Sequence, residues 1–365
     1  MMIGKKQKYY SLKNILAKKA TYNIIFGERS NGKTYSVLEY GLKDFIENGK
    51  QIAIVRRWLD DFRGKRGQTL FDGIVGNGVI DKLTKGEYNG VYYYSQKWFL
   101  CRWEDGERVT METPFAYAFA LTSTEHDKST SYPKIGTILF DEFLTRQSYL
   151  PDEFILFMNT ISTIVRQKND VKIFMLGNTV NKYCPYFAEM GLSHIKKMEI
   201  GTIDVYKYGD SDLTVAVEYC KNNKDGKASD IYFAFDNPKL QMITGGAWEV
   251  DIYPHLPMKY KPKNVKLTYF IDFDNEILQC EIIKIDNKNM FTFIHPKTTP
   301  IKDDKKDIVY STEFFPQSNY TRNIKRPVND VQKIIYSFFL SDKVFYSSNE
   351  VGEIVRNYLL WCSKN

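Results

Sequence analysis

Five stretches of the chain are apolar almost without a break: Tyr22–Phe26, Gln51–Val55, Ala116–Leu121, Ile135–Phe143 and Val171–Gly177. Runs of this length, with no polar alternation, are what strands buried on both faces of a parallel sheet require. Between the first two, Thr34–Asn48 reads as a helix that Gly49 ends, and Pro151-Asp152-Glu153 opens a second helix running to about Gln167. The stretch from Phe62 to Gly90 mixes glycines with basic and apolar positions and reads as helix and loop. After it, Val91–Tyr94, Lys97–Trp103 and Val109–Glu112 read as antiparallel strands, the last two joined by the turn Glu104-Asp105-Gly106-Glu107. Val205–Tyr208 and Leu213–Tyr219 are short strands, followed by a polar break at Lys221–Lys227 and an aromatic linker over 228–260.

The pattern changes again over the last hundred residues. Leu267–Asp272, Leu278–Ile283 and Met290–Ile294 form a three-stranded meander; Val328–Leu340 is a helix, Lys343–Tyr346 a strand, and Ser348-Asn349-Glu350 caps a final helix ending near Trp361. The fold class is therefore α/β: a P-loop NTPase domain of the additional-strand, RecA- and terminase-like kind over 1–208, a linker or lid region over 209–260, and a smaller α+β ribonuclease-H-like domain over 261–365. Residues 1–20 form a basic leader with a short helix around Leu12–Lys19, placed either to pack on the first strand or to meet phosphate backbone.

Chemistry enters at the ends of the buried runs. Gly27-Glu28-Arg29-Ser30-Asn31-Gly32-Lys33-Thr34 fits the phosphate-cradling loop Gly-x-x-x-x-Gly-Lys-Ser/Thr. A pattern this short also arises in surface turns, so context decides. Here the loop lies between a strand and a helix, so its N–H groups and the helix N-terminus face one anion. Lys33 is placed for the β- and γ-phosphates and Thr34 for Mg²⁺. The fourth run ends in Asp141-Glu142. Asp141 is the candidate to hold Mg²⁺ through water, and Glu142 to orient and deprotonate the attacking water, which points to hydrolysis of ATP. Asn178, at the end of the fifth run, fits a sensor of the γ-phosphate or the lytic water; a turn-forming Asn fits the same place. Arg56 and Arg57 end the second run, where either a contact to nucleotide or nucleic acid or a solvated strand end satisfies the pattern.

Bulk numbers add little. The 365 residues exceed one typical core, and 43% hydrophobic content rules out disorder. A net charge of +7, spread along the chain, is weak support for an acidic partner. Five scattered cysteines without a Cys-x-x-Cys pair argue against a disulfide framework or zinc site, and no run of eighteen apolar residues suggests a membrane span. The reading is a soluble protein of a reducing compartment. Lys97, Arg102, Arg108 and Lys128 are the candidate DNA contacts, the first three among aromatics on the hairpins; a plain sheet with solvated charges fits equally. In the last domain Asp272 sits on the first strand, but the later strand Val344–Tyr346 carries no acid, so a two-metal nuclease site is incomplete and no nuclease activity is expected.

This order of parts resembles the DNA-packaging ATPases, or encapsidation proteins, of small short-tailed bacteriophages whose motor includes a prohead RNA. The likeness is carried by Gly27–Thr34, Asp141-Glu142 with its strand, Asn178 and the acid-poor last domain. It implies a homo-oligomeric ring, pentameric in that family, docked transiently on the portal of a procapsid in the host cell cytoplasm and driving double-stranded DNA through its pore with ATP. It further implies that Arg146, by its place after the acidic pair, reaches the γ-phosphate of a neighbouring subunit and that Arg29 touches nucleotide. The last domain is then a vestigial nuclease meeting the prohead RNA or the portal. Two other functions share the motifs: another P-loop DNA motor (helicase or segregation ATPase), and a nucleotide-dependent nucleic-acid-binding assembly protein.

Overall fold

The computed structural model describes residues 10–123, 131–147, 149–166, 168–221, 247–286, 289–302 and 307–365. The chain divides into two compact units, Met1–Glu249 and Val250–Asn365.

The first unit is built on one large sheet. Its central strands are β1 (Tyr22–Gly27), β2 (Gln51–Arg56), β6 (Ala116–Ala120), β7 (Ile135–Asp141), β8 (Lys172–Asn178) and β10 (Thr214–Cys220). They run parallel in the order β6-β2-β7-β8-β1-β10. Every residue of β1 and β7 is buried, which is why the sequence shows unbroken apolar runs. Alternate side chains feed two cores, one on each face: Ile24, Phe26, Val55 and Phe140 on one side, Ile25, Ile54, Leu139 and Phe174 on the other. The helix Lys33–Asn48 covers the second face with Val37, Leu38 and Leu42, and the helix Glu153–Val165 covers the first with Phe157, Ile161 and Ile164. Tyr10, Leu12 and Ile15 of the basic leader are buried in the second core, so its described part, residues 10–20, packs there.

Antiparallel strands extend both sides of this sheet. β3 (Gly90–Tyr94), β4 (Lys97–Glu104) and β5 (Glu107–Thr110) form the expected hairpins, with β4 joined to β6. At the opposite end, β9 (Ile203–Lys207) pairs with β10. Here the expected boundary at 208/209 needs correcting. It separates β9 from β10, yet β10 is hydrogen-bonded along all of β1, and Trp248 packs on Phe26 at 5.1 Å. Burial of these apolar side chains keeps the chain in the first unit to Glu249. Most of the expected linker, residues 222–246, lies outside the described residues.

The second unit holds a six-stranded sheet in the order β15-β14-β11-β12-β13-β16. β11 (Val265–Phe273), β12 (Glu276–Lys284) and β13 (Met290–Pro296) are the expected antiparallel meander. The sheet continues beyond β11 with β14 (Ile308–Ser311), parallel to β11 and flanked by β15 (Tyr320–Thr321). Val344–Tyr346 is β16 and pairs parallel with β13 on the other side, after the helix Asp330–Leu340 makes the crossover that a parallel pair requires. Ser348 caps the final helix, Asn349–Lys364, by accepting the Val351 N–H. The residue in register with Asp272 is therefore Ser311, whose hydroxyl donates to Asp272 Oδ2 at 3.1 Å.

A polar cluster ties β12 to β13. Tyr260 donates to Glu281 Oε2 at 2.6 Å, Gln279 Nε2 donates to Glu281 Oε1 at 2.8 Å, and His295 Nε2 lies 3.8 Å from Oε1. The His295 ring together with these donors holds Glu281 down to about 2. Burial pulls His295 down, but the Glu281 carboxylate and the Pro296 carbonyl raise it above its ordinary value. A raised histidine contributes stability that is present below its unfolded value near 6.5 and lost as pH climbs through the folded one. Going from about pH 6 to about pH 9 is expected to lower the melting temperature of this unit in the wild-type chain and to lower it less in His295→Gln. Equal drops in scanning calorimetry would remove the pair from the stability balance.

Candidate nucleotide site at the carboxyl edge of the sheet

Because the central strands are parallel, their carboxyl ends share one edge, and register decides what meets there. Gly27 lies opposite Asn178 on one side and Cys220 on the other, and Asp141 lies opposite Leu176. β8 thus separates the P-loop strand from the strand of the acidic pair, which is the additional-strand arrangement expected from the sequence. The edge opens on a cavity of about 240 Å³ lined by Ser30–Thr34, Asp141, Glu142 and Leu176–Asn178.

The loop conformation explains its glycines. Gly27 has φ +155° and Gly32 φ +91°, and a Cβ added to Gly27 would fall 2.6 Å from Cys220 Sγ. Asn31 ties the turn by donating from Nδ2 to Cys220 Sγ at 3.0 Å and accepting the Lys33 amide at 3.3 Å. Gly32 hands over to the helix Lys33–Asn48, whose first N–H groups face the cavity edge. The Lys33 ammonium donates to the Glu28 carbonyl at 2.6 Å and to Asn178 Oδ1 at 3.4 Å. Burial pulls its pKa down, opposed by Cys220, Asp141 and Glu28.

Thr34 Oγ1 donates to Asp141 Oδ1 at 3.1 Å, while Arg56 Nη2 holds Oδ2 of the same carboxylate at 3.0 Å. A hydroxyl and a buried carboxylate oxygen converging at the loop are the donor set a Mg²⁺ ion accepts alongside water and phosphate, so the residues fit that ion. Glu142, one residue on, is exposed and has φ +60°, a left-handed conformation that costs a non-glycine residue energy. Its position turns the side chain out of the strand and onto the cavity.

Lys33, Thr34, Asp141, Glu142 and Asn178 are thus brought together. Arg29 and Arg146 are not on the cavity wall. Arg29 Nη2 pairs with Glu249 Oε1 at 3.2 Å, and Arg146 Nη1 donates to the Glu249 carbonyl at 2.9 Å. Glu249 gave no sequence signal, since it lies 220 residues from Arg29 and 103 from Arg146. The two strand-end arginines resolve differently from a solvated terminus: Arg56 binds Asp141, and Arg57 is buried.

Among the candidate DNA contacts, cross-strand pairing puts Lys97 and Arg108 on one sheet face with Tyr92, Tyr94, Phe99 and Trp103. Tyr94 and Trp103 are each 63% exposed, and the Arg108 guanidinium lies 3.4 Å above the Tyr92 ring. Arg102 takes the opposite face and forks onto Glu104 Oε2 at 2.9 and 3.2 Å. Lys128 lies outside the described residues. No helix among the described residues is long and apolar enough to cross a membrane.

Comparison with known proteins adds the family. A family model described as podovirus DNA encapsidation protein (Gp16) matches residues 4–71 and 105–242, more than half the chain. The DNA packaging protein of Bacillus phage B103 is 27% identical over 173 residues, 47% of this chain and 48% of that one. The DNA packaging protein of Bacillus phage phi29 is 25% identical over 190 residues, 51% of each. The chain spans about half the length of these curated relatives. Of solved structures, the bacteriophage Phi-29 viral genome packaging motor assembly aligns with TM-score 0.58 and 18% identity over 98% of this chain and 99% of that one. The Phi-28 gp11 DNA packaging motor aligns with TM-score 0.53 and 18% identity over 98% and 96%. Both likenesses establish the fold.

Proposed function

Since the chain belongs to the podovirus DNA encapsidation protein family, we propose that it is an ATP-driven motor that moves double-stranded viral DNA into a procapsid, working as a ring of identical subunits on the portal. The observation that carries this reading is the meeting of Lys33, Thr34, Asp141, Glu142 and Asn178 at one cavity on the carboxyl edge of a parallel sheet. These groups meet the needs of ATP hydrolysis one by one. The loop amides and the Lys33 ammonium take the charge of the β- and γ-phosphates. Thr34 and Asp141 would hold Mg²⁺, which when bound would draw charge from the phosphate oxygens. Glu142 orients a water and accepts its proton, and Asn178, already in reach of Lys33, registers whether the γ-phosphate is present.

Arg146 acts in trans in this scheme: released from the Glu249 carbonyl, it is supplied to the site of a neighbouring copy, while Arg29 stays near its own nucleotide. DNA runs past Lys97 and Arg108, with Arg102 contributing less because Glu104 already neutralises it. Replacing Lys97 or Arg108 with alanine is expected to lower the slope of log affinity against log salt by about 1 each. Filter binding at several salt concentrations checks this, and unchanged slopes would take both residues off the DNA path. For the second unit we propose a role in binding the prohead RNA or portal without cutting DNA, supported by Ser311 standing in register with Asp272. We place the motor in the host cell cytoplasm, with five subunits the expected ring size.

The test is packaging itself. Duplex DNA incubated with procapsids, prohead RNA, the protein and ATP should become protected from added nuclease, and without ATP it should not. Unwinding of a forked duplex without procapsids would instead favour a helicase, and DNA binding with no turnover under any of these conditions would favour an assembly protein.

A further inference from the structure

Behind the acidic pair lies a buried ion pair that the steps above leave without a task. Arg57 is 8% exposed and forks onto Glu153, with Nε to Oε2 and Nη2 to Oε1 both at 2.7 Å. It also reaches backbone and a ring: Nη1 donates to the Glu142 carbonyl at 3.3 Å and Nη2 to the Phe143 carbonyl at 3.0 Å, and the guanidinium lies 5.2 Å from the centre of the Tyr149 ring. Glu153 in turn accepts the Leu150 amide at 2.7 Å and the Tyr186 hydroxyl at 2.9 Å. One ion pair therefore fastens both ends of the segment 142–150. Glu142 stands at the start of that segment in a left-handed conformation, and Arg146 stands within it.

Stability alone does not account for this construction. Two charges taken out of water lose in solvation about what they gain in attraction, and an apolar pair of similar volume generally holds a fold as well. An apolar pair cannot, however, fix the Glu142 and Phe143 carbonyls and the Leu150 amide in one geometry. Nor can it hold Glu142 at φ +60° against its own preference.

We infer that Arg57 and Glu153 are positioning residues: by holding the backbone at Glu142–Phe143 and at Leu150, on either side of Arg146, they set the water-activating carboxylate of one ATP site together with the arginine offered to the next. The inference rests on the ATPase reading. Neither residue lines the cavity, so their removal should act on kcat and leave ATP affinity alone.

The test uses the full chain assembled on procapsids with duplex DNA and measures kcat, KM, affinity for a fluorescent ATP analogue and melting temperature. In Arg57→Met/Glu153→Met, analogue affinity is expected to stay near wild type while kcat falls about 10²-fold, the scale of a misplaced catalytic group, and melting temperature falls as the Leu150 amide and the Tyr186 hydroxyl lose their acceptor. A merely structural pair would keep kcat as soon as it kept the fold, so wild-type kcat in this variant overturns the inference. If the double variant does not fold, Arg57→Lys decides. It keeps the charge and loses the fork, and a fall in kcat with unchanged KM supports the inference, whereas full kcat overturns it. Glu142→Gln in the same assay separates the two readings. Wild-type turnover in Glu142→Gln sinks the ATPase assignment itself, while loss there with normal Arg57 variants sinks only the positioning role.

Discussion

Replacing Arg146 with alanine is expected to leave ATP binding intact and to cut turnover of the assembled motor by about 10³- to 10⁵-fold, the range over which an arginine finger acts. The size follows from what the residue would do: it would bring a mobile positive charge to the γ-phosphate during transfer, whereas Lys33 is held at the loop by Glu28 and Asn178 and Arg56 is held by Asp141. Binding survives because Arg146 rests on the Glu249 carbonyl and the cavity wall is made without it. Fluorescent-nucleotide titration and steady-state turnover together check this. Loss of binding in parallel with turnover would make Arg146 a structural residue.

Glu142→Gln is the second large effect, with turnover falling about 10²- to 10⁴-fold, the usual contribution of a positioned general base. The amide keeps the size and exposure of the carboxylate and accepts no proton, so nucleotide affinity should hold while the chemical step fails. Mixing the two variants joins both expectations. Where an Arg146→Ala subunit offers its intact Glu142 next to a Glu142→Gln subunit offering its intact Arg146, a whole site forms at the interface, and part of the lost turnover should return. No return at any mixing ratio would rule out an arginine acting in trans.

How much of this was legible in the sequence differs by element. The central strands were, because burial on both faces leaves no room for polar alternation, and β7 and β8 end on Asp141 and Asn178, which line the cavity. Local motifs carried their own geometry: the P-loop glycines encode positive φ, and a strand followed by that loop and a helix can bind phosphate in few other ways. Pairing between distant segments was not legible. β10 joins β1 with register partners 193 residues apart (Tyr22 and Val215), and β14 is four residues long behind the charged run 303–306, a short apolar signal with its partner β11 far upstream.

Side chains whose partners lie far away in sequence were the least readable. Arg57 was flagged only as an arginine at a strand end. Its partner Glu153 is 96 residues on, where it reads as an ordinary acidic residue in the first turn of a helix. Arg146 could be singled out by its place after Asp141-Glu142, but the Glu249 carbonyl that holds it in this conformation belongs to a stretch with no pattern of its own. The placement of the cavity's residues was therefore legible where one motif supplied them, and side-chain partners were hidden where the fold assembled them from distant segments.

The central claim is that the P-loop edge is an ATPase site completed by assembly. Its most direct test is ATP turnover of the purified protein alone, with duplex DNA, with procapsids, and with both. The account predicts slow turnover for the protein alone and a large rise when procapsids and DNA are present together. Turnover equally fast in all four mixtures, or absent from all four, would contradict it.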